Sequence, residues 1–437
     1  MTTGARTPAV GGLRDVPLPD PVARDYLLLA LRLDQRRPGL VDGYFGPAEL
    51  KARVDTEQLR SPAALRDDAA ALRERLAGEV DDPARRRWLA AQLVALETQA
   101  AALAGEALPY VELVRRCFDR EPVRRPEEPF AAAAQELEAL VPGEGPLARR
   151  LAAWDDPFTI APEGLEPVVD WLVGRFRERA RRLFGLPEGE ALRVGLVRGQ
   201  PWSGYNWYDG GLRSRVDLNV DLPIRAADLI RVLAHETYPG HHLEHAWKEA
   251  HLVEELGRLE ASILLINTPE CLISEGLANL GRRFAVPPDE EAGLLVELYQ
   301  RAGLAIAADP VAAREAAERQ VRITAARQRL DGAVLNAALL RHVDGLDQDQ
   351  VRTYLEHVAL LSPERAAKRL EFIEHPLWRT YVFVYDEGER LLERWLELVP
   401  AADRPARFRR LLLEQLTPGA IARDVEVAVA GVRSRAE

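Results

Sequence analysis

Five of the chain's eight histidines lie between positions 235 and 251, so this stretch is the first place to look for chemistry. It opens with the adjacent pair His235 and Glu236, directly after the mostly apolar run LIRVLA at positions 229–234. That order is typical of a buried helix that delivers polar groups to an interior site. Zinc favours imidazole and carboxylate ligands, and a His-Glu pair on a helix begins a known zinc-binding signature. The sequence therefore predicts a metal site here.

The spacing of the histidines differs from that signature, in which the second histidine follows the first by four residues. Pro239 occupies that position. On a regular helix His242 would share the face of His235 but lie about 10 Å further along the axis, and His241 would face elsewhere. Pro239 removes a backbone donor and Gly240 adds conformational freedom, so we expect a bulge or helix end that returns His241 to the metal. His241 is the preferred ligand, with His242 as the alternative.

Glu275 is the candidate third ligand. It stands among apolar and small residues at positions 271–280, so its carboxylate faces a core unless it has a partner. A catalytic zinc site takes three protein ligands and leaves one position for water. Glu236 is the neighbour of His235 and cannot easily reach the same ion, so we predict that it is the base that accepts a proton from water. The expected cofactor is one zinc ion held by His235, His241 and Glu275.

The residues from His235 to His242 resemble the signature His-Glu-x-x-Pro-Gly-His-His of a bacterial family catalogued as domain of unknown function 885. A second element of that family, Glu-Gly-Trp-Ala, is similar to Glu275–Ala278, with Leu277 in place of the tryptophan. Weaker similarity covers residues 341–346 and 376–388. The family is similar in fold to carboxypeptidase Taq-type zinc metallopeptidases, which are long helical bundles around a deep groove. The resemblance implies that fold and a hydrolytic zinc centre, and it supports His241 over His242.

The resemblance also suggests residues for catalysis and substrate binding. Tyr381 matches a tyrosine that follows a proline in the family, and we expect it to help stabilise the oxyanion. Alternatively, Tyr381 and Tyr385 share one helical face and only pack in the core. Arg341 and Arg379 are candidates for gripping a substrate carboxylate, as a carboxypeptidase would need.

Three segments partly alternate apolar and polar residues and predict a small antiparallel sheet beside the histidine helix: Leu192–Val197, Trp202–Asp209 and Leu212–Asp221. The strand at 213–221 is a candidate to pair with an extended peptide, aided by the amide of Asn219. An aromatic cluster could line substrate subsites or pack in the sheet; its members are Trp202, Tyr205, Trp207 and Tyr208. The loop at 39–47 is aromatic enough to line a cleft.

In the rest of the chain, apolar residues recur at the three- and four-residue spacing of helices, which predicts a mainly α fold. Residues 1–18 are predicted to be a flexible tail. Residues 19–437 are predicted to form one mostly helical domain, with a divergent N-terminal half (19–185) and a half that holds the sheet and the metal-site helices (186–437). The predicted helices begin at Asp20-Pro21 and continue over Pro62–Leu76, Asp82–Leu103, Tyr110–Phe118, Pro129–Leu140, Pro162–Phe184, Asp309 to about Arg341, and a series from Pro376 to Val432.

Composition excludes several classes of protein. The net charge of −11 argues against a nucleic-acid partner, because no basic face is evident to neutralise phosphates. Cys117 and Cys271 make no disulfide framework. No apolar run has the length of a signal peptide core or of a membrane span. We therefore expect a cytoplasmic protein without a membrane partner.

Together these observations predict a zinc-dependent, peptidase-like hydrolase of a peptide or small amide, which could be a carboxypeptidase. One alternative is a metal-binding protein with little or no turnover, and another is a hydrolase of non-peptide amides. A sealed site with four protein ligands, His242 included, would favour the first alternative. We expect His245 and His251 to be solvated or to support the ligands.

Overall fold

The structure, a computed structural model, describes residues 20–200 and 202–436, with side chains up to residue 431. The predicted tail at 1–18 lies outside these residues. The mainly α fold class is confirmed. The helices are α1 Pro21–Arg36, α2 Ala48–Thr56, α3 Pro62–Glu79, α4 Pro83–Leu103, α5 Tyr110–Phe118, α6 Glu128–Leu140, α7 Leu147–Asp155, α8 Pro162–Phe184, α9 Ala226–Glu236, α10 His241–Lys248, α11 Pro269–Ala285, α12 Pro288–Arg301, α13 Pro310–Gln328, α14 Asp331–His342, α15 Gln348–His357, α16 Pro363–Glu374, α17 Val382–Leu396, α18 Arg404–Leu413 and α19 Pro418–Ala436.

The helix boundaries follow the capping signals of the sequence. The carboxylate of Asp20 accepts a hydrogen bond from the backbone of Ala23, and proline opens the helix behind it. Asp82 caps α4 in the same way. The predicted single helix from Asp309 to about Arg341 is wrong, because α13 ends at Gln328 and α14 begins at Asp331. Only Arg329 and Leu330 separate the two helices, and the turn-forming pair Asp331-Gly332 directly after them was the sequence signal of this break.

The strands form three small sheets in the described residues. They are β1 Val41–Tyr44, β2 Thr159–Ile160, β3 Ala191–Val197, β4 Gly204–Tyr208, β5 Arg213–Asn219, β6 Ile224–Arg225 and β7 Ile263–Leu265. The predicted sheet has the order β3-β5-β4, with β4 antiparallel and β3 parallel to β5, so it is mixed and not purely antiparallel. The short pairs β1-β7 and β2-β6 were not predicted.

Helices α11 and α17 pack closely at two glycines. A Cβ on Gly276 would lie 2.4 Å from the carbonyl carbon of Gly388, so neither position can carry a side chain without moving a helix. Gly276 follows Glu275 directly, and α17 carries Tyr385. This contact therefore fixes the distance between two candidate site residues. None of the described helices is both long and apolar enough to cross a membrane.

Candidate metal centre

The metal-site residues are positioned by the end of α9 and the start of α10. Leu229, Ile230 and Leu233 bury one face of α9, and His235 and Glu236 are its last two residues. The helix stops there, and α10 begins at His241. Gly240 packs directly against the last turn of α9. A Cβ atom on residue 240 would lie 1.8 Å from the carbonyl oxygen of His235. The predicted helix end beside Pro239 is confirmed, and it turns His241 back toward His235.

Three donor groups converge at this corner. The Nε2 atoms of His235 and His241 are 3.1 Å apart. Glu275, on α11, places Oε2 3.4 Å from Nε2 of His235 and Oε1 3.8 Å from Nε2 of His241. Two ligands on one tetrahedral zinc ion, at bond lengths near 2.1 Å, stand about 3.4 Å apart. The observed spacings therefore fit one ion between the three side chains.

Glu275 supplies a further sign of a missing cation. Its Oε2 is buried and has no hydrogen-bond partner among the described residues. A buried, unpartnered carboxylate oxygen carries a high desolvation cost, which a metal ion would remove. The three ligand side chains keep only 10–15% exposure, so the centre is enclosed yet reachable from solvent. The donor set and the orphaned oxygen both fit zinc.

The second ring nitrogens of the two histidines are held by neighbouring side chains. Nδ1 of His235 lies 3.0 Å from Oδ1 of Asn279, an acceptor that keeps the proton on Nδ1 and leaves Nε2 free as a ligand. Nδ1 of His241 lies 3.2 Å from the hydroxyl of Ser274, which donates to Glu244 at 2.6 Å. Such partners orient metal-binding imidazoles. Neither Asn279 nor Ser274 was singled out from the sequence, although Ser274 adjoins Glu275.

The electrostatics of the centre favour a positive charge. Burial alone would lower the pKa of His241, but the carboxylates of Glu244, Glu275 and Glu236 raise it to about 9. These acidic groups stabilise an imidazolium ion in the structure. A divalent cation at the same place would meet the same favourable field.

His242 faces away from this centre. Its Nδ1 accepts from the hydroxyl of Ser214 at 2.8 Å, and its Nε2 donates to Glu190 at 2.9 Å. Tyr238 also donates to Glu190, at 2.5 Å. Burial lowers the pKa of His242, so the ring is neutral and both of its nitrogens are satisfied by protein groups. The structure thus groups His241, and not His242, with His235 and Glu275.

The remaining histidines of the stretch differ from each other. His245 is buried, and its ring stacks on that of His241 with centroids 5.7 Å apart. With His241 and Glu244 it forms a second group of potential metal ligands. However, Glu244 is already bound by Ser274 and by Lys248, at 2.6 Å each. His251 is partly exposed and pairs with Glu255.

Glu236 is partly accessible to solvent. Its carboxylate makes no hydrogen bond within the described residues, whereas its backbone carbonyl accepts from Asn206 at 2.8 Å. Asp42 on β1 accepts a hydrogen bond from the hydroxyl of Tyr205 on β4. Asp42 is solvent-exposed. The cleft-lining role of the 39–47 loop stays a prediction.

The two candidate tyrosines have different surroundings. Tyr381 is buried, and its hydroxyl donates to Oε1 of Glu275 at 2.5 Å. Tyr385 is 37% exposed, with its ring centroid 5.5 Å from that of Tyr381. Partial desolvation by the surrounding protein, together with the nearby Glu275, raises the pKa of Tyr385, so its hydroxyl keeps its proton. Tyr385 is therefore a protonated donor that solvent can reach.

Three expectations about substrate binding are not supported by the geometry. Arg341 pairs with Glu374, and Arg379 lines a separate cavity that contains no metal-centre residue. Strand β5 is paired on both sides, so it cannot accept a peptide; β4 is the edge strand next to α9. Asn219 is used internally, because its side chain bonds Gln200 and Asp221.

The aromatic cluster divides into two parts. Tyr205 lies against both Trp202 and Trp207, with ring centroids 5.6 and 4.5 Å away. These three rings are partly accessible to solvent. Tyr208 is buried, and its hydroxyl is bound to Glu249, so it belongs to the core.

Comparison with known proteins adds little to these observations. No family model and no curated protein matches the chain. Among solved structures, it is similar to a protein from Colwellia psychrerythraea described as a putative lipoprotein, at 14% identity and a TM-score of 0.47. The match covers 85% of this chain and 68% of the other. Similarity this distant leaves the function to be argued from the site itself.

Proposed function

We propose that this protein is a metal-dependent hydrolase of peptide or amide bonds, with zinc as its ion. The observation that carries the proposal is the convergence of His235, His241 and Glu275 around a buried, unpartnered oxygen of Glu275. Asn279 and Ser274 would hold the two imidazoles, and Tyr381 would orient the Glu275 carboxylate.

The ligand number supports catalysis over a purely structural metal site. Structural zinc sites are closed by four protein ligands, whereas catalytic sites keep one position open. His242 is the obvious fourth ligand in the sequence, but its ring is committed to Ser214 and Glu190. The three side chains also keep 10–15% exposure, so solvent can reach the position left open. A metal-binding protein without turnover is therefore the weaker of the two proposals.

When bound, zinc would act as a Lewis acid that acidifies water and polarises a carbonyl group. Glu236 would accept a proton from the attacking water as the new C–O bond forms. The same carboxyl group would then return the proton to the leaving nitrogen as the C–N bond breaks. Tyr385 would donate its hydroxyl hydrogen to the oxyanion, because it is protonated and accessible to solvent. We thus move the proposed oxyanion role from Tyr381 to Tyr385.

The side chains around the metal centre favour some amide substrates over others. Of the two arginines expected to bind a substrate carboxylate, Arg341 is paired with Glu374 and Arg379 lines a cavity that contains no metal-centre residue. The accessible rings of Trp202, Tyr205 and Trp207 would instead offer flat apolar surface for a side chain. We therefore propose an amide or peptide substrate that is recognised without a terminal carboxylate.

The test is the variant Glu236→Gln, assayed with zinc on a mixed peptide library and on a panel of simple aryl amides. We expect zinc content to stay at the wild-type level while hydrolysis falls by about 10²- to 10⁴-fold, the usual contribution of a general base. Glu255→Gln is the matched control, because Glu255 is exposed on the surface. Full activity in Glu236→Gln would refute the mechanism. A wild-type protein that binds zinc but cleaves nothing would refute the hydrolase proposal and favour a metal-binding role.

A further inference from the structure

A cavity of about 370 Å³ lies apart from the metal centre, between the end of α1, the α4–α5 connection and the segment before α17. Its charged lining residues are Arg37, Arg379, Glu106 and Glu374. None of the proposed metal ligands lines it. Its volume falls within the range of small-molecule sites.

The two arginines have no acidic partner in the described residues. Neither Arg37 nor Arg379 forms an ion pair there, and Nε of Arg379 is buried without a hydrogen-bond partner. The two acidic residues of the lining are already bound, Glu106 to Arg66 and Glu374 to Arg341. Arg37 and Arg379 therefore have no paired counter-charge in the lining of the cavity. Among the described residues, most partly buried arginines have a carboxylate partner, as Arg85 does with Glu260.

The two guanidinium groups also repel each other. Burial lowers the pKa of Arg37, and the positive charge of Arg379 lowers it further. The neighbouring Cys117 does not compensate, because burial raises the pKa of its thiol to about 12 and keeps it neutral. Two partly desolvated like charges are costly unless an anion lies between them. Guanidinium groups bind phosphate and carboxylate oxygens through paired hydrogen bonds, which gives such an anion a defined geometry.

We propose that this cavity is a second binding site, for a small molecule that carries a phosphate or carboxylate group held by Arg37 and Arg379. Arg379 is held in place by its backbone carbonyl, which accepts a hydrogen bond from Tyr110 at 2.7 Å, and it lies two residues before Tyr381. The proposal stands independently of the hydrolase assignment.

The experiment is a calorimetric titration of the full chain with inorganic phosphate and, separately, with succinate, at constant ionic strength set by chloride. We expect saturable binding of at least one of the two anions, and the comparison identifies the preferred oxyanion. Arg37→Gln and Arg379→Gln should each weaken that binding by at least about tenfold, the loss of one bidentate contact.

Arg407→Gln is the matched control. Arg407 also has a buried, unpartnered Nε, but it lies over the ring of Trp395 and does not line the cavity. Anion binding should persist in this variant. Circular dichroism and thermal unfolding would verify that each variant is folded, and without anion Arg379→Gln should be at least as stable as the wild type. The proposal is overturned if neither anion binds saturably, or if Arg379→Gln binds as tightly as Arg407→Gln.

Discussion

Replacing Glu190 by Gln tests how His242 is kept out of the metal centre. Glu190 is buried and accepts hydrogen bonds from His242, Tyr238 and Arg177. Burial alone would raise its pKa, but these three partners outweigh burial and hold the pKa at about 2, against an ordinary value of 4.5. A shift of this size corresponds to roughly 3 kcal/mol of folding free energy at neutral pH.

The pH dependence of this stabilisation follows from the lowered pKa of Glu190. The stabilisation is fully present above pH 4.5, where the carboxyl is ionised in both folded and unfolded states. It is lost as the pH falls toward 2, because the unfolded chain then binds a proton that the folded protein does not. The difference between wild type and Glu190→Gln should therefore be about 3 kcal/mol at pH 7 and about 1.5 kcal/mol at pH 3.

The assay is urea-induced unfolding of both proteins at the two pH values, with a chelator present so that metal binding does not contribute. Glu112→Gln is the control, because the ion pair of Glu112 with Arg115 is exposed and screened by water. An equal loss of stability at pH 7 and pH 3 would contradict the reasoning, since it would indicate a packing defect and not a lost charge. No loss at either pH would show that Glu190 is not the anchor of His242.

Three further predictions concern α11, α17 and Tyr381, the residue directly before α17. Gly276→Ala should destabilise the protein by about 1–3 kcal/mol in urea unfolding and reduce hydrolysis, because its Cβ would press on Gly388 and separate the helices. Gly293→Ala, in a helix position with no neighbouring atoms within 4 Å, should cause no such loss, and equal stability of the two variants would refute the close-packing argument. Tyr381→Phe should weaken zinc binding by about 10- to 100-fold, because it removes a hydrogen bond to a ligand. Tyr385→Phe should instead lower kcat by about 10²- to 10³-fold with zinc affinity unchanged, and the opposite pattern would return the oxyanion role to Tyr381.

Local signals made much of this structure predictable. Asp20 before Pro21 marked the start of α1, and the proline and glycine after Glu236 marked the end of α9. The isolated carboxylate of Glu275 in an apolar helix indicated that it needs a partner. Each of these inferences depends on residues close together in the chain.

Contacts between residues that are far apart in the chain could not be predicted from the sequence. His242 is held away from the metal centre by its hydrogen bond to Glu190, which lies 52 positions earlier in the chain. The roles of Tyr381 and Tyr385 depend on how α17 packs on α11, which two separated glycines determine. The pairing of β5 on both sides follows from the order of the strands in the sheet, and the alternation of side chains does not encode that order.

The central claim is that His235, His241 and Glu275 bind one zinc ion and that His242 is not a ligand. Its most direct test is a competition titration of the metal-free protein with zinc against a chromophoric chelator, for the wild type, His241→Gln and His242→Gln. We predict one tight equivalent of zinc in the wild type and in His242→Gln, and a large loss of affinity in His241→Gln. Loss of the site in His242→Gln with retention in His241→Gln would contradict the account, as would a wild-type protein that binds no zinc.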